Sequence, residues 1–335
     1  MTIEGAKQRH AFVTGATGFI GTNLVFELIK RHYSVSCLVR SQTKASHLQH
    51  KDIELLSGDL NNPASLGEHI QKADIVFHVA GTTKAIRKSD YFKGNLDTTR
   101  NLVRLITQHA PSHQKLIYIS SQAAAGPCAK EPGVNESTPN SLPVSAYGQS
   151  KKEAEKVVLS IADQFPVVIL KPSIVFGPRD HGMKPLFKAT SHGIMIKSGF
   201  RDFPVSLIYV DDLVKAILLV ATADAANGKT YYVTDGKSYT WATLMNTIAA
   251  HINPRAFLLT LPLFLIWMVC QMKGLLGRLT NRPQDLNSDK WLEIKQNGWL
   301  CNSKCIQSEL GFRPHWTLEN GIKETVAWYR KSGWF

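Results

Sequence analysis

The chain has 335 residues, of which 44% are hydrophobic and 19% charged, and its formal net charge is +13. This composition is that of a folded globular protein and excludes intrinsic disorder, and the length allows a large domain with a smaller one, since single cores stop growing near about 250–300 residues. The basic residues are scattered and no nucleic-acid-binding motif accompanies them, which argues against a nucleic-acid partner.

The cysteines are few, widely spread and odd in number: Cys37, Cys128, Cys270, Cys301 and Cys305. Dense cysteine pairing marks small secreted domains, so this pattern favours a reducing cytoplasm. The CxxxC spacing at 301–305 is not followed by a second Cys or His pair, and we expect structural thiols and no metal site. The start of the chain lacks the charged-then-apolar pattern of a signal peptide, which also predicts a protein that is not exported.

From His10 onward, short β-branched runs alternate with longer amphipathic stretches. The predicted elements are strands at 11–15, 35–39, 53–56, 75–80, 115–120 and 167–170, and helices at 19–31, 96–108 and 147–162. Strands that read as continuous apolar runs suit a parallel sheet covered on both faces, so we predict a doubly wound α/β fold of the Rossmann type. The alternation decays after Pro178. We therefore expect a dinucleotide-binding domain over 8–178 and a substrate lobe over 179–335, partly interleaved with late sheet elements.

The first predicted strand leads into a glycine-rich turn that opens the first helix. Gly15 can make the tight turn, Gly18 lets the backbone approach a pyrophosphate, and Gly21 permits close packing of helix on strand. The helix N-terminus adds unpaired N–H donors. The spacing is G-x-x-G-x-x-G rather than the commoner G-x-G-x-x-G. We predict a dinucleotide-binding loop whose contact residues are Gly15, Thr17, Gly18, Phe19 and Ile20.

Arg40 stands at the end of the second predicted strand, where dinucleotide folds usually place an acidic residue for the adenosine ribose. A guanidinium can hold the 2′-phosphate of NADP through paired charge-assisted hydrogen bonds, so NADP is the preferred cofactor. Lys44 could add charge nearby. If Arg40 is only a solvated strand end, or stacks on the adenine, NAD is the cofactor.

Two further strand ends carry residues that belong at a ligand site, because ligands bind outside the carboxyl ends of strands in open α/β sheets. Asp59 and Leu60 follow the third strand, and Ala80, Gly81 and Thr82 follow the fourth. We expect Asp59 to face the adenine and Gly81 to face the cofactor backbone.

Tyr147 and Lys151 are four residues apart and hence on one face of a predicted helix. A buried cation beside a tyrosine favours the phenolate and lowers its pKa from about 10, which suits proton exchange with an alcohol or carbonyl. Ser120 and Ser121 end the fifth strand, just before a loop rich in Pro, Gly, Asn and Ser. A serine hydroxyl there can orient a substrate oxygen, or the two serines simply terminate the strand.

Together these motifs make the chain similar to the extended short-chain dehydrogenase/reductase family, also described as the NAD-dependent epimerase/dehydratase superfamily, nearest its dihydroflavonol-reductase and 3-beta-hydroxysteroid-dehydrogenase-like branch. The resemblance covers almost the whole chain. Its motifs are TGATGFIG at 14–21, GDL at 58–60, HVAG at 78–81, ISS at 119–121, YGQSK at 147–151, KPSIVFGPRD at 171–180, YVDDLV at 209–214 and ELGFRPHWTLENGI at 309–322.

The resemblance implies a catalytic set in which Ser121 orients the substrate and Tyr147 is the general acid/base. Lys151 would lower the pKa of the tyrosine and hold the nicotinamide ribose. Ser121 is chosen over Ser120 because the family's serine lies five positions before the glycine that matches Gly126.

The resemblance also implies roles outside the catalytic set. Pro172 and Ile174 would line the nicotinamide side of the cofactor, and Asp211 and Asp212 would tie the late segment to the core. At position 171 this chain has Lys171 where the family often has arginine, which alters any polar contact made from that position.

The sequence is compatible with three functions. The first is hydride transfer between NADP(H) and a secondary alcohol or ketone of a small-molecule substrate, apolar and steroid- or flavonoid-like. The second is an NAD-dependent nucleotide-sugar epimerase or dehydratase, although no Asp-Glu pair of the dehydratase kind follows Ser121. The third is a non-catalytic NADP-binding regulatory protein, against which the retained catalytic set argues.

Residues 256–272 form one nearly uncharged, apolar stretch. A spanning helix usually needs about 20 apolar residues, and this stretch is short and contains Pro262. We favour a core or substrate-lid helix, and keep a peripheral contact with a membrane surface and a true span as alternatives. The family resemblance also makes a homodimer through the Tyr147-bearing helix an expectation.

Overall fold

The computed structural model describes residues 8–63, 65–111, 114–138 and 142–335. Its main sheet has seven parallel strands in the order β3-β2-β1-β4-β5-β6-β10. These strands are β1 (His10–Thr14), β2 (Ser34–Val39), β3 (Ile53–Ser57), β4 (Ile75–His78), β5 (Lys115–Ile119), β6 (Val167–Pro172) and β10 (Thr230–Val233). The strand order reverses between β1 and β4, which is where open α/β sheets bind ligands.

Helices cover both faces of this sheet, as the continuous apolar runs predict. They are α1 (Phe19–Lys30), α2 (Gly67–Lys72), α3 (Lys88–Phe92), α4 (Thr98–His109), α5 (Ala146–Leu159) and α7 (Val210–Thr222). Along β1, Ala11 and Val13 pack into one apolar cluster with α1 and α7, whereas Phe12 packs into the other with α2, α4 and α5. The predicted Rossmann-type fold is confirmed.

The rest of the C-terminal half forms a lobe of helices and short strands. These are β7 (Ile174–Phe176), α6 (Lys184–Ser191), β8 (Ile194–Ser198), β9 (Pro204–Tyr209), β11 (Ser238–Thr240), α8 (Trp241–Ile252), β12 (Phe257–Leu261), α9 (Leu263–Thr280), α10 (Ser288–Ile294), α11 (Lys304–Leu310) and α12 (Leu318–Lys331). Two small sheets, β11-β9-β7 and β12-β8, lie in this lobe. The chain returns from this lobe to the main sheet, because β10 joins that sheet and α7 packs on it, although both come after residue 178.

A buried carboxylate joins the late segment to α7. Asp212 is fully buried and accepts hydrogen bonds from the backbone N–H groups of His315 and Trp316, at 2.8 and 2.7 Å, and from Lys215 at 3.1 Å. The structural role expected of the two aspartates is therefore confirmed for Asp212.

The apolar stretch 256–272 is not a core helix, which corrects one half of the favoured prediction, and its role as a substrate lid stays a prediction. Its first part is the strand β12, Pro262 precedes the helix, and α9 runs beyond the predicted end to Thr280. Only Ile266, Cys270 and Gly277 of α9 are buried, while its large apolar side chains are mostly exposed. In the part of the chain that the structure describes, α9 is the one helix long and apolar enough to cross a membrane by length and composition.

Candidate active site

The glycine loop lies at the carboxyl edge of β1, packed against the edge of β4. Gly15 has a φ of +73°, and a side chain there would overlap the backbone of Ala80. A side chain at Gly21 would overlap the carbonyl of Gly15, whereas at Gly18 the same carbonyl oxygen would be 3.2 Å away. Gly15 and Gly21 therefore fold the loop tightly, and Gly18 leaves its outer side open. Since Gly18 caps α1 without any side-chain hydrogen bond, the first-turn N–H groups keep their capacity to bind an anion.

The turn after β4 is held by an asparagine that the sequence analysis did not single out. Asn95 lies in a π-helical turn at 93–97, a distortion often found at functional sites. Its side-chain oxygen accepts from the backbone N–H of Thr82 at 2.6 Å, and its amide donates to the Thr82 carbonyl and to the Ser150 hydroxyl at 3.1 and 2.8 Å. Asn95 thus joins the predicted cofactor-contact turn at 80–82 to helix α5.

His78 stands one step further inside the sheet and is fully buried. Its ring nitrogens hydrogen-bond the hydroxyls of Thr14 at 2.7 Å and Thr99 at 2.9 Å, and its ring stacks on Tyr118 with 5.4 Å between centroids. Burial lowers the pKa of His78 to about 3, and the nearby Lys151 ammonium lowers it further. The imidazole is therefore neutral at physiological pH and acts as a cross-link between β1, β4 and α4.

Tyr147 and Ser121 come together beside the carboxyl edge of β5. The Ser121 hydroxyl accepts from the backbone N–H of Ala123 at 3.1 Å, and Ser121 is a neighbour of the Tyr147 phenol. Burial raises the pKa of Tyr147 to about 12, and Ser121 lowers it. The phenol is therefore protonated at neutral pH and ready to donate.

Lys151 is buried one helical turn from Tyr147. Its ammonium donates to the carbonyl of Ile119 at 2.9 Å and lies 4.9 Å from the centre of the Tyr118 ring. A side chain at position 81 would come within 3.0 Å of the Lys151 nitrogen, so Gly81 makes room for it. Burial lowers the pKa of Lys151 to about 8, and Glu155 partly opposes this shift. The expected lowering of the Tyr147 pKa is wrong for this structure, because burial outweighs the neighbouring groups and raises that pKa.

A buried ion pair between Lys171 and Glu155 shows the polar contact that is made from position 171. Glu155 accepts from the Lys171 ammonium at 3.1 Å and from the Ser120 hydroxyl, and Lys171 also lies 5.2 Å from the centre of the Tyr232 ring. Both charged side chains are about nine-tenths buried. Ser120 is thus engaged inside the protein, while the neighbouring Ser121 faces Tyr147.

The start of α5 is capped by carboxylates from the C-terminal lobe. Asp289 accepts from the backbone N–H groups of Ala146 and Tyr147, at 2.7 and 3.2 Å, and Glu293 accepts from the Ser145 hydroxyl at 2.7 Å. Carboxylates favour a helix N-terminus because of its unpaired donors and positive end. Helix α10 therefore positions the helix that carries Tyr147.

The remaining predicted site residues occupy the strand ends where they were expected. Arg40 follows β2 and is exposed, and Asp59 follows β3, where its carboxylate accepts from the backbone N–H of Asn61 at 2.8 Å. Leu60 is buried, Pro172 ends β6, and Ile174 begins β7. Their contacts with a cofactor stay predictions.

A cavity of about 720 Å³ opens between residues 85–91 and residues 274–289. Tyr91 lines it, and the Tyr91 ring lies 6.2 Å from the Tyr147 ring; Asp289, which caps α5, lines it as well. Its opposite wall includes Gly274, Gly277 and Arg278 of α9. The charged groups of the lining are three cations, Arg87, Lys88 and Arg278, and two carboxylates, Asp90 and Asp289.

The geometry defines a dinucleotide-binding protein with a Ser-Tyr-Lys site at the carboxyl edge of a Rossmann sheet. Residues 11–234 match the NAD dependent epimerase/dehydratase family, and the chain belongs to that family, as its motifs predict. The chain is 30% identical to the 2-alkyl-3-oxoalkanoate reductase of Shewanella oneidensis, over 96% of this chain and 87% of the relative. It is also 30% identical to a putative dihydroflavonol 4-reductase of Synechocystis sp., over 96% and 95% of the two chains.

The fold has close counterparts among solved structures. One is the dTDP-glucose 4,6-dehydratase of Bacillus anthracis in complex with NAD, with a TM-score of 0.78, 20% identity and 98% of each chain covered. At this identity the likeness shows the fold alone. The two sequence relatives are reductases by name and the solved structure is a nucleotide-sugar dehydratase, so these likenesses do not select one substrate class.

Proposed function

We propose that this protein transfers hydride between NADP(H) and a secondary alcohol or ketone of an apolar substrate, with Tyr147 as the general acid/base. The observation that carries the proposal is the buried Lys151 ammonium, which lies one helical turn from Tyr147, against Gly81 and the carbonyl of Ile119, the residue that precedes Ser120 and Ser121 at the end of β5. Two hydroxyls side by side can hold one carbonyl oxygen, and the phenol can supply the proton that the oxygen needs.

The residues present fit a nicotinamide dinucleotide. The open side of Gly18 and the uncapped start of α1 suit a pyrophosphate, and the Lys151 ammonium has donors to spare for a ribose after its bond to Ile119. When bound, the cofactor supplies or accepts the hydride. The protein's own task is to hold the substrate oxygen against Ser121 and Tyr147 and to move a proton at the Tyr147 hydroxyl.

The charge states favour the reductive direction at neutral pH. Burial raises the pKa of Tyr147 to about 12, which keeps the proton that reduction of a carbonyl consumes. Burial lowers the pKa of Lys151 to about 8, so the ammonium is charged below that pH and neutral above it. We expect kcat/KM for ketone reduction to be level up to about pH 8 and to fall above it.

The preference for NADP is inferred from Arg40, which is exposed at the end of β2 and has no ion-pair partner among the described residues. It is tested by titrating wild type and Arg40→Ala with NADPH and NADH. We expect NADPH to bind wild type at least tenfold more tightly, about 1.4 kcal/mol, and the variant to lose that margin. Arg104→Ala, an exposed arginine on α4, is the matched control and should bind as wild type does. Equal binding of both cofactors to wild type would refute the assignment of Arg40.

The catalytic assignment is tested with a panel of apolar ketones and Tyr147→Phe. Loss of the phenolic proton should lower kcat/KM about 10²- to 10⁴-fold while NADPH still binds. Turnover that survives in Tyr147→Phe would remove Tyr147 from the reaction. Binding of NADPH without turnover of any ketone by wild type would favour the non-catalytic alternative.

A second candidate is a nucleotide-sugar epimerase or dehydratase, and one observation favours it. Arg87, Lys88 and Arg278 line the cavity beside Tyr91, and such cations suit a diphosphate. The same cations suit a carboxylate on an apolar ketone. An enzyme of the second kind retains NAD through purification and turns over a nucleotide sugar without added cofactor, so protein-bound NAD with no NADPH binding would decide for it.

A further inference from the structure

Most of the large apolar side chains of helix α9 are exposed to solvent, whereas a helix of a soluble domain usually buries them. Its exposed large apolar side chains include Phe264, Trp267, Met268, Met272, Leu275, Leu276 and Leu279, with exposed fractions from 44% to 77%. The exposed set follows the i, i+3, i+4 spacing and so forms one continuous outer face along the helix. A contiguous apolar patch of this kind marks an interaction surface.

The inner side of the same helix is made of smaller residues. Cys270 and Gly277 are buried, Gly274 is half-buried, and Ile266 is the one large apolar side chain of α9 that is buried. The helix therefore contributes its small residues to the fold and its large ones to the outside. This inverted pattern needs an apolar phase to cover the outer face.

Both ends of α9 are fixed to the same folded body. The strand β12, which precedes it, pairs with β8 over five residue pairs, and α10, which follows it, caps α5 through Asp289 and Glu293. A helix that crossed a bilayer would place its two ends on opposite sides. At 18 residues and about 27 Å it is also slightly short for a hydrocarbon core of about 30 Å. The structure therefore places α9 along a surface rather than through it.

The sequence segment that contains α9 has cations and no carboxylates. No Asp or Glu occurs between Asp235 and Asp285, whereas exposed Arg255, Lys273 and Arg282 lie in that stretch. Within the described residues these three cations have no ion-pair partner. A second copy of this chain docked by the same face would bring like charges together, since a two-fold contact is self-complementary. An anionic surface fits instead.

The apolar face continues past the start of α9. Phe257 on β12 is 59% exposed and Phe200, in the loop after β8, is 77% exposed. Gly199 lies against the Leu263 side chain at the first turn of α9, which brings the loop and the helix together. Lys197, whose ammonium donates to the Phe200 carbonyl at 3.1 Å, borders this end of the face.

We propose that the outer face of α9, with Phe200 and Phe257 at its N-terminal end, is a membrane-binding surface that inserts into the interface of a bilayer containing anionic lipid. Its apolar side chains enter the boundary between headgroups and acyl chains, and the cations around it contact lipid phosphates. The enzyme body stays on one side of the bilayer.

The position of this surface also assigns a route for the substrate, a step that rests on the proposed function. The cavity beside Tyr91 has Gly274, Gly277 and Arg278 of α9 in its wall. The cavity therefore lies between the membrane-binding helix and Tyr91, whose ring is 6.2 Å from that of Tyr147, and we infer that an apolar ketone enters it from the bilayer.

The binding surface is tested by flotation of the full chain with vesicles of phosphatidylcholine, with and without phosphatidylglycerol. Wild type should float with the mixed vesicles and less at high salt, because salt screens the attraction to anionic lipid. The variant Phe264→Ser/Met272→Ser/Leu279→Ser should bind at least about tenfold more weakly, since three exposed apolar groups lose their burial. Lys273→Gln/Arg282→Gln should lose the gain from phosphatidylglycerol, and Arg104→Gln/Lys130→Gln, the charge-matched control elsewhere, should keep it.

A matched pair of leucines separates this face from apolar surface in general. Leu279 is 77% exposed on α9, and Leu142 is 70% exposed outside it. Leu279→Ser should weaken flotation and Leu142→Ser should not. Equal flotation of the triple variant and wild type, or none by wild type, would overturn the proposal. Resistance of the bound protein to alkaline carbonate would show a span, and conversion of a dimer to a monomer by the triple variant without vesicle binding would show a second copy as the partner.

The substrate route has its own readout. With a ketone dispersed in the vesicles, the triple variant should show a lower kcat/KM than wild type, and with a water-soluble ketone the two should be equal. Equal loss with both ketones would point to damage at Tyr147 and remove the route. Flotation without turnover of any ketone by wild type would leave the membrane surface standing and refute the proposed function.

Discussion

The sheet edge around Lys151 and the outer face of α9 depart from the usual distribution of side chains in opposite directions. At the sheet edge, charged groups are inside: Lys151, Glu155 and Lys171 are buried within hydrogen-bonding networks. On α9, large apolar groups are outside, and Leu279 is 77% exposed. Both arrangements lower the stability of the fold. Buried charges lose their hydration, and apolar side chains left in water forgo the stabilisation that burial would give.

The difference shows which kind of partner each region has. Buried cations next to an open glycine loop suit an anionic cofactor and a proton transfer, and they are held by partners inside the protein. The apolar face of α9 is exposed among the described residues, which is why we propose an external partner for it. The two regions should differ in how much their side chains contribute to the free energy of unfolding of the isolated chain, and this difference can be measured.

The largest effect is expected at the buried ion pair. Glu155→Ala would leave the Lys171 ammonium buried without its carboxylate and the Ser120 hydroxyl without its acceptor, and should lower the free energy of unfolding by about 3 kcal/mol or more. The measurement is urea denaturation at neutral pH. Glu155→Leu/Lys171→Met, which removes both charges, should recover most of the loss.

The same helix provides the control. Glu153 pairs with Lys156 at 2.7 Å, but both side chains are largely exposed. Glu153→Ala should therefore change the free energy of unfolding by no more than about 0.5 kcal/mol. If Glu155→Ala were as mild as Glu153→Ala, the charges at the sheet edge would be solvated and the contrast with α9 would disappear.

A smaller effect is expected from pH through His78. Its pKa is about 3 in the folded protein and near 6.5 in an unfolded chain, so the unfolded state binds a proton that the folded state does not. Stability from this group is present above about pH 6.5 and is lost as pH falls toward 3. Between pH 7 and pH 5 the loss should be about 2 kcal/mol.

His78→Gln isolates this contribution. Unfolding free energies of wild type and variant, measured at pH 7, 6 and 5, should converge as the pH falls, because glutamine does not take up a proton. Parallel curves would mean that His78 is protonated inside the fold, and that the neutral cross-link between Thr14 and Thr99 is incorrectly assigned.

The sequence predicts the glycine loop, the strand ends and the Tyr147–Lys151 pair well because their spacing is local. The turn requires Gly15 and Gly21 within seven residues, and a helix places residues four apart on one face. The carboxyl end of β4 is predicted equally well from the motif at residues 78–81. The motif there drew attention to Gly81 and gave no sign that His78 is a buried cross-link.

What the sequence does not reveal depends on contacts between distant segments. The Asp289 cap on α5 joins residues about 140 positions apart, and the Glu155–Lys171 pair joins a helix to a strand. The sidedness of α9 is hidden for another reason: when nearly every residue is apolar, periodicity cannot tell the inner face from the outer one. Only Gly274 and Gly277, small residues on one side, signal which face packs.

The smallest effect, and the sharpest test of the contrast, is expected on α9. Leu279→Ser in buffer without lipid should change the free energy of unfolding by no more than about 0.5 kcal/mol, because the leucine is already exposed to water. Ile266→Ala on the buried side of the same helix should lower it by about 2 kcal/mol. Thermal or urea denaturation of both variants measures the pair. If Leu279→Ser were as costly as Ile266→Ala, the leucine would be packed in solution against another protein surface, and the outer face of α9 would be part of an assembly rather than free for a bilayer.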